Sequence, residues 1–122
     1  MDVKFLDTYA LWEILSGNSK FTHYFEEDFV INDLILAEFY GIILREFNEQ
    51  TANYWALKLR SYSQQVSIST LIKAVKFRRS NPKKNLSFFD AVGYIFAREN
   101  NYIFVTGDKE FEHLQGVEFV KK

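Results

Sequence analysis

The chain has 122 residues, 48% hydrophobic and 25% charged, which is the balance of a globular domain large enough to bury one core. It contains no cysteine, so disulfides, thiolate zinc sites and a cysteine nucleophile are excluded; its two histidines, His23 and His113, are too far apart in sequence to suggest an imidazole metal site. The net charge of −1 conceals an asymmetry: Gln50 to Phe89 carries no acid and eight bases (Lys58, Arg60, Lys73, Lys76, Arg78, Arg79, Lys83, Lys84), leaving seven bases against sixteen acids elsewhere. No apolar run approaches the roughly 18 residues that cross a bilayer. The opening MDVKFLD lacks the layout of a signal peptide, so a soluble cytoplasmic protein without membrane contact is expected.

In chain order, short apolar runs alternate with helical patterns, which predicts an α/β protein with a largely parallel sheet and one domain over residues 1–122. Val3–Leu6 reads as a first strand, followed by a helix with Leu11, Ile14 and Leu15 on one face and Gly17-Asn18 as its stop. Phe29–Ile31 reads as a second strand, and Asn32 or Asp33 can cap a helix carrying Leu34, Ile35, Glu38, Phe39, Ile42 and Ile43. Gln50–Tyr62 reads as a further helix, Val66–Ser69 as a short third strand, and Leu71–Arg79 as a helix ending before Asn81-Pro82. Ser87 opens a helix through Asn100. Tyr102–Val105 reads as a strand, Lys109–Leu114 as a short helix and Val117–Val120 as the last strand. Thirteen Phe give a high aromatic share, and most of these rings must be core.

Four acids stand apart from the rest: Asp7 in VKFLDT, Glu38 in LAEFYG, Asp90 in LSFFDA and Asp108 in VTGDKEF. Each has an ordinary reading. Asp7 and Asp108 follow strands and can cap the helices after them, Asp90 completes a Ser87-x-x-Asp90 capping box, and Glu38 can sit at the exposed edge of its stripe. Phe88 and Phe89 argue against an exposed capping role for Asp90, and an unpaired Glu38 on a buried face would cost several kcal/mol. A parallel sheet brings strand ends and helix starts to one rim, where ligands of open α/β sheets bind. Carboxylates gathered there need a cation among them, and all-oxygen donors suit Mg²⁺ or Mn²⁺. The basic stretch opposite such a site suits a polyanion, although a solvated basic helix face explains the charge alone equally well.

On these residues the chain resembles the PIN domain, and within it the VapC-type ribonucleases of toxin–antitoxin pairs. VKFLDTYAL is similar to the family's strand-Asp-Thr opening, ILAEFYG to the segment carrying its Glu, and LSFFDAVGYIFARENNYIFVTGDKEF to its third acid and its Thr-x-Asp-x-x-Phe signature (Thr106, Asp108, Phe111). Two features depart from it: Tyr9 stands where many members have Ser or Asn, and Ser80–Asn85 is more heavily charged than the usual connection.

The resemblance implies a three-layer α/β/α fold with a five-stranded parallel sheet in the order 3-2-1-4-5. It implies Mg²⁺- or Mn²⁺-dependent cleavage of single-stranded or loop RNA, leaving 3′-hydroxyl and 5′-phosphate ends. Asp7, Glu38, Asp90 and Asp108 would be the catalytic and metal-binding acids, with Thr8 and Thr106 supporting the metal shell. Lys73, Lys76, Arg78, Arg79, Lys83 and Lys84 would hold the RNA backbone. A homodimer and a VapB-like antitoxin are implied as partners; Leu11, Ile14, Leu15, Phe39, Ile42 and Phe47 are the apolar residues where the antitoxin segment would be sought, with plain core the ordinary reading for most of them. Two alternatives are a PIN-like module that binds RNA or protein without cutting, and a phosphoacceptor receiver domain. The second needs paired acids after the first strand, where this chain has Asp7 followed by Thr8 and Tyr9.

Overall fold

The computed structural model describes residues 2–122. Five parallel strands, β1 (Lys4–Leu6), β2 (Phe29–Asn32), β3 (Ser63–Gln64), β4 (Ile103–Thr106) and β5 (Val117–Phe119), form one sheet in the order β3-β2-β1-β4-β5. Six helices surround it: α1 (Thr8–Leu15), α2 (Ser19–Thr22), α3 (Asp33–Glu46), α4 (Glu49–Leu59), α5 (Ile68–Ser80) and α6 (Phe88–Glu99). This is the expected three-layer α/β/α arrangement and strand order.

The order has a consequence for the site. The chain runs from β1 outward to β2 and β3, then returns to place β4 against the other side of β1, in the register Lys4↔Ile103, Phe5↔Phe104 and Leu6↔Val105. The two halves of the sheet therefore wind away from each other between β1 and β4, and such a switch point opens a crevice at the carboxyl ends of the strands. Asp7 and Asp108 lie just beyond those two ends.

Central strands covered on both faces should read as continuous apolar runs, and they do. Phe5, Leu6, Phe104 and Val105 are fully buried. Phe5 and Phe104 stack at 5.8 Å and face Gly93 of α6, where an added Cβ would stand 3.2 Å from Phe5, 3.3 Å from Phe104 and 3.5 Å from Ile35 of α3. The absent side chain lets α6 sit close on the sheet and fixes the depth at which its first turn, with Asp90, meets the rim. Of the thirteen Phe, only Phe47 is exposed. Each buried ring contributes about 1.5–3 kcal/mol of transfer free energy, which is why so short a sheet suffices.

Three sequence expectations need correction. The third strand is Ser63–Gln64, paired to Ile31 and Asn32, and not Val66–Ser69; Ser67 instead caps α5, its hydroxyl accepting from the Thr70 amide at 3.2 Å. The helix expected to reach Tyr62 ends at Leu59 in a tighter 3-10 turn, and Lys109–Leu114 is a 3-10 turn over Lys109–Phe111 only. Helix α2 and the 3-10 turn His23–Glu26 have no counterpart in the sequence reading, because four-residue pieces are too short to show a period.

Candidate active site

Three of the four acids are turned toward the rim by the same device. Asp7 leaves β1 in extended conformation and its Oδ1 accepts from the Ala10 amide at 2.8 Å, starting α1. Asp108 caps the 3-10 turn after β4, its Oδ1 accepting from the Glu110 amide at 3.0 Å. Asp90 forms the capping box with Ser87: the Ser87 hydroxyl accepts from the Asp90 amide at 3.0 Å, and Asp90 Oδ2 accepts from the Ser87 amide at 3.3 Å. Phe88 and Phe89 do not keep Asp90 from capping, contrary to the sequence expectation, since both rings are only half-buried. Capping and a place in the site are compatible, because these amide bonds engage one oxygen of each carboxylate and leave the other for a further partner.

Asp7, Asp90 and Asp108 line one cleft of about 420 Å³, together with Thr8, Tyr9, Trp12, Ile42, Arg45 and Glu46. Asp7 is 2% exposed. Burial pushes its carboxyl up to about 8 from an ordinary 3.8; hydrogen bonds from the Thr106 hydroxyl and the Ala10 amide oppose this, and the charges of Asp90 and Asp108 add to it. Asp90 is also raised, first by burial, then against its Ser87 hydrogen bonds by the charge of Asp108, with the Arg78 guanidinium pulling the other way. Without a cation, this cleft holds a proton at neutral pH.

Glu38 stands at the margin. It is half-buried on α3 and accepts a hydrogen bond from the Thr8 hydroxyl, but it does not line the cleft. Burial raises its carboxyl, the Thr8 hydrogen bond lowers it, and the charge of Asp90 raises it, so it feels the cluster electrostatically. Thr106 is fully buried between two acids: its Oγ1 accepts from the Asp108 amide at 3.0 Å, and its hydroxyl acts to lower the Asp7 carboxyl.

The donor set is oxygen throughout, which matches a hard divalent ion. Among the described residues no three His, Cys, Asp or Glu side chains are spaced to close on one ion by themselves. Mg²⁺ does not require such a cage, since it keeps several waters and binds through one or two carboxylates plus substrate phosphate oxygens. The mutual repulsion within the cleft is what such an ion relieves. The residues therefore fit Mg²⁺ or Mn²⁺ in chemistry and in the openness of their arrangement.

Tyr9, the departure noted in the sequence, has a structural explanation. Its ring lies over Gly107, where a Cβ would come within 2.2 Å of Tyr9 Cε1, and it packs on Phe21 at 6.1 Å. The large side chain is accommodated because residue 107 has none, and it braces the Thr106–Asp108 turn.

The basic residues divide. Lys73 pairs with Glu99 at 2.7 Å, nine residues and about 13 Å along α6 from Asp90. Lys76, Arg79 and Lys83 are exposed. Arg78 donates from Nε to the Leu86 carbonyl at 3.0 Å, and Lys84 from Nζ to the Glu110 carbonyl at 3.0 Å, so both are tied to segments that flank Asp90 and Asp108 without lining the cleft.

Trp12, Arg45 and Glu46 are parts of the cleft that sequence reasoning does not single out. A signal for two of them is present, because Ile42, Arg45 and Glu46 follow Glu38 at i+4, i+7 and i+8, on one helix face. Of the proposed antitoxin-facing residues, Leu11 (1% exposed), Ile14 (7%) and Phe39 (1%) are core; Leu15 and Ile42 are half-buried, and Phe47 is exposed with its ring 6.0 Å from Trp12.

The sequence profile of the PIN domain matches residues 4–117. Comparison with curated proteins gives no match. Among solved structures, the chain is similar to Mycobacterium tuberculosis VapC20, described as a sarcin-ricin loop cleaving toxin, at 16% identity and a TM-score of 0.78, covering 99% of this chain and 98% of that one. It is similar to a toxin–antitoxin complex from Klebsiella pneumoniae at 19% identity and a TM-score of 0.74, covering 94% and 95% of the two chains. The DNA-bound VapBC of Salmonella typhimurium matches at 16% identity and a TM-score of 0.75, covering 98% of each chain. With a profile match across nearly its whole length and the strand order and acid rim described above, the chain belongs to the PIN-domain family.

Proposed function

We propose that the protein is a Mg²⁺- or Mn²⁺-dependent endoribonuclease that cuts single-stranded or loop RNA, and the toxin of a toxin–antitoxin pair. The observation that carries this is the almost fully buried Asp7 carboxylate, sharing one cleft at the sheet's switch point with Asp90 and Asp108. Asp7, Asp90 and Asp108 would hold the ion directly or through water, with Glu38 completing the negative field from α3. When bound, the ion supplies an activated water near neutral pH and Lewis-acid stabilisation of charge on the phosphate. Thr106 would hold the Asp108 turn beside Asp7, and Thr8 would orient Glu38. The start of α6, where Ser87 locks Asp90, presents a partial positive charge that favours a phosphate group. Arg78, Arg79, Lys83 and Lys84 would carry the RNA backbone, adding affinity more than sequence choice.

The family profile and the VapC and VapBC neighbours support the toxin reading, in which the chain acts in the cytoplasm, as a homodimer, under the control of a VapB-like antitoxin. No helix among the described residues is long and apolar enough to cross a membrane. Exposed Phe47 beside Trp12, at the edge of the acid cleft, is the apolar surface such an antitoxin segment would cover.

The test is Mn²⁺-dependent cleavage of RNA by Asp7→Asn and Asp90→Asn. Both should lose activity at least 100-fold while keeping the fold, on the scale of removing a metal-holding or charge-stabilising group. Undiminished cleavage by both would overturn the site. A second reading, a PIN scaffold that binds without cutting, draws on Tyr9 and on the open spacing of the acids; it predicts RNA binding with no Mn²⁺-dependent cleavage by the wild-type protein.

A further inference from the structure

We propose that the cavity between α5 and the α5–α6 connection is a nucleotide subsite, taking the base and phosphate of one extruded ribonucleotide of a single-stranded RNA. This rests on the nuclease reading and deepens it. The cavity has a volume of about 610 Å³ and is lined by Val75, Arg78, Arg79, Pro82, Lys84 and Leu86. Three cations and three aliphatic side chains line it, and no acid does. That combination answers the two halves of a nucleotide, an anionic phosphate and a flat apolar base.

Two of the cations are held in place without being neutralised. Arg78 and Lys84 are tethered to the main-chain carbonyls of Leu86 and Glu110, each at 3.0 Å, and neither they nor Arg79 forms a salt bridge among the described residues. Lys73 on the same helix, by contrast, is matched to Glu99. A tethered cation keeps its charge for a ligand and loses less side-chain entropy when the ligand arrives. The guanidinium planes of Arg78 and Arg79 also offer stacking surfaces for a base.

The cavity is connected to the acid cleft by charge and by chain. The Arg78 charge acts on Asp90, and Leu86 leads through the Ser87 cap into the turn that carries Asp90. On the other side, Lys84 and Pro82 also border a neighbouring cavity with Lys83 and Glu110, two residues past Asp108. An RNA strand with one nucleotide in the cavity would run on past Ser87 toward the acids. A duplex, with its bases stacked inside, offers only phosphates, so the subsite selects unpaired RNA.

The test is binding of a fluorescently labelled single-stranded RNA oligonucleotide in EDTA, where no cleavage occurs, followed by anisotropy across a salt series. Arg79→Ala and Lys84→Met should each weaken binding about fivefold and reduce the slope of log K against log salt by about 0.7, the value for one lost phosphate contact on a single strand. Val75→Glu, at the exposed mouth, should weaken it further by placing a negative charge against the phosphate. Lys58→Ala removes the same charge beside Phe29, at the amino end of β2 and the opposite rim, and should leave binding unchanged. Equal losses in Lys58→Ala and Arg79→Ala, or no loss in Arg79→Ala and Lys84→Met, would overturn the subsite. Displacement of the RNA by polyglutamate at matched charge would assign the cavity to acidic protein segments instead, and would also overturn it. Asp90→Asn separates this proposal from the catalytic one: binding retained with cleavage lost supports both. A wild-type protein that binds through Arg79 and Lys84 yet never cuts would keep the subsite and reject the nuclease.

Discussion

Replacing Asp7 by asparagine should make the metal-free protein more stable while destroying its chemistry. The Asp7 carboxyl is raised to about 8 in the fold, chiefly by burial. An unfolded chain would release that proton near the ordinary 3.8. Between those values the folded state binds a proton that the unfolded state has lost, so this group's contribution, whole below about pH 4, drains away as pH rises toward 8. At 1.36 kcal/mol per unit, ionisation favours the unfolded chain by up to ~4 kcal/mol at pH 7. The amide of the Asp7→Asn variant carries no such charge, and asparagine caps a helix as well as aspartate does, so the bond from the Ala10 amide survives. Allowing for water entry and local relaxation, the gain should still be about 2 kcal/mol, or roughly 8 °C in Tm for a chain of this size.

Thermal melts of wild type and Asp7→Asn in EDTA, from pH 5 to pH 8, measure it. The gap between them should widen with pH, and saturating Mn²⁺ should raise the wild type and not the variant. A variant less stable than wild type throughout, or a gap independent of pH, would refute the claim that Asp7 is held against its charge.

Gly107→Ala should cost about 1–3 kcal/mol and reduce RNA cleavage, because the new Cβ collides with the Tyr9 ring and displaces the turn carrying Asp108. Adding Tyr9→Ser should restore both, and failure of the double variant to recover would show that Tyr9 is not the obstacle. Phe104→Ala should cost about 3–5 kcal/mol in denaturant unfolding, since the ring is fully buried and lies 4.8 Å from Phe111, 5.6 Å from Tyr94 and 5.8 Å from Phe5. A loss under about 1 kcal/mol, far below the range for a buried Phe, would mean that these rings do not form the packed centre.

What the sequence discloses, and what it hides, follows from the local signals. Lys4–Leu6, Phe29–Asn32 and Ile103–Thr106 are visible because buried parallel strands are continuous apolar runs. Ser63–Gln64 is not, because a two-residue polar edge strand is defined only by its partners Ile31 and Asn32, while Val66 nearby offers a β-branched decoy. Two caps are visible too: Asn32 and Ser87 bind the amides their positions predict, whereas the Ser67 cap lies inside the run that reads as a strand.

For the acids, the ordinary and the functional readings are not rivals: for Asp7, Asp90 and Asp108 the cap is the means by which the carboxylate is aimed. The convergence of these three on one cleft is legible as an order of strand ends and helix starts. The peripheral place of Glu38, and the diversion of Lys73 to Glu99, depend on side-chain geometry that spacing does not encode. The contact of Tyr9 with Gly107 joins residues far apart in the chain and leaves no local trace.

The most direct measurement is a calorimetric titration of the protein with Mn²⁺ near pH 7, in buffers of different ionisation enthalpy. Wild type should bind the ion and release about one proton, the one Asp7 holds in its absence, and Asp90→Asn should lose most of that affinity. Absence of Mn²⁺ binding by the wild type, or undiminished binding by Asp90→Asn, would contradict a cleft whose carboxylates share a divalent cation.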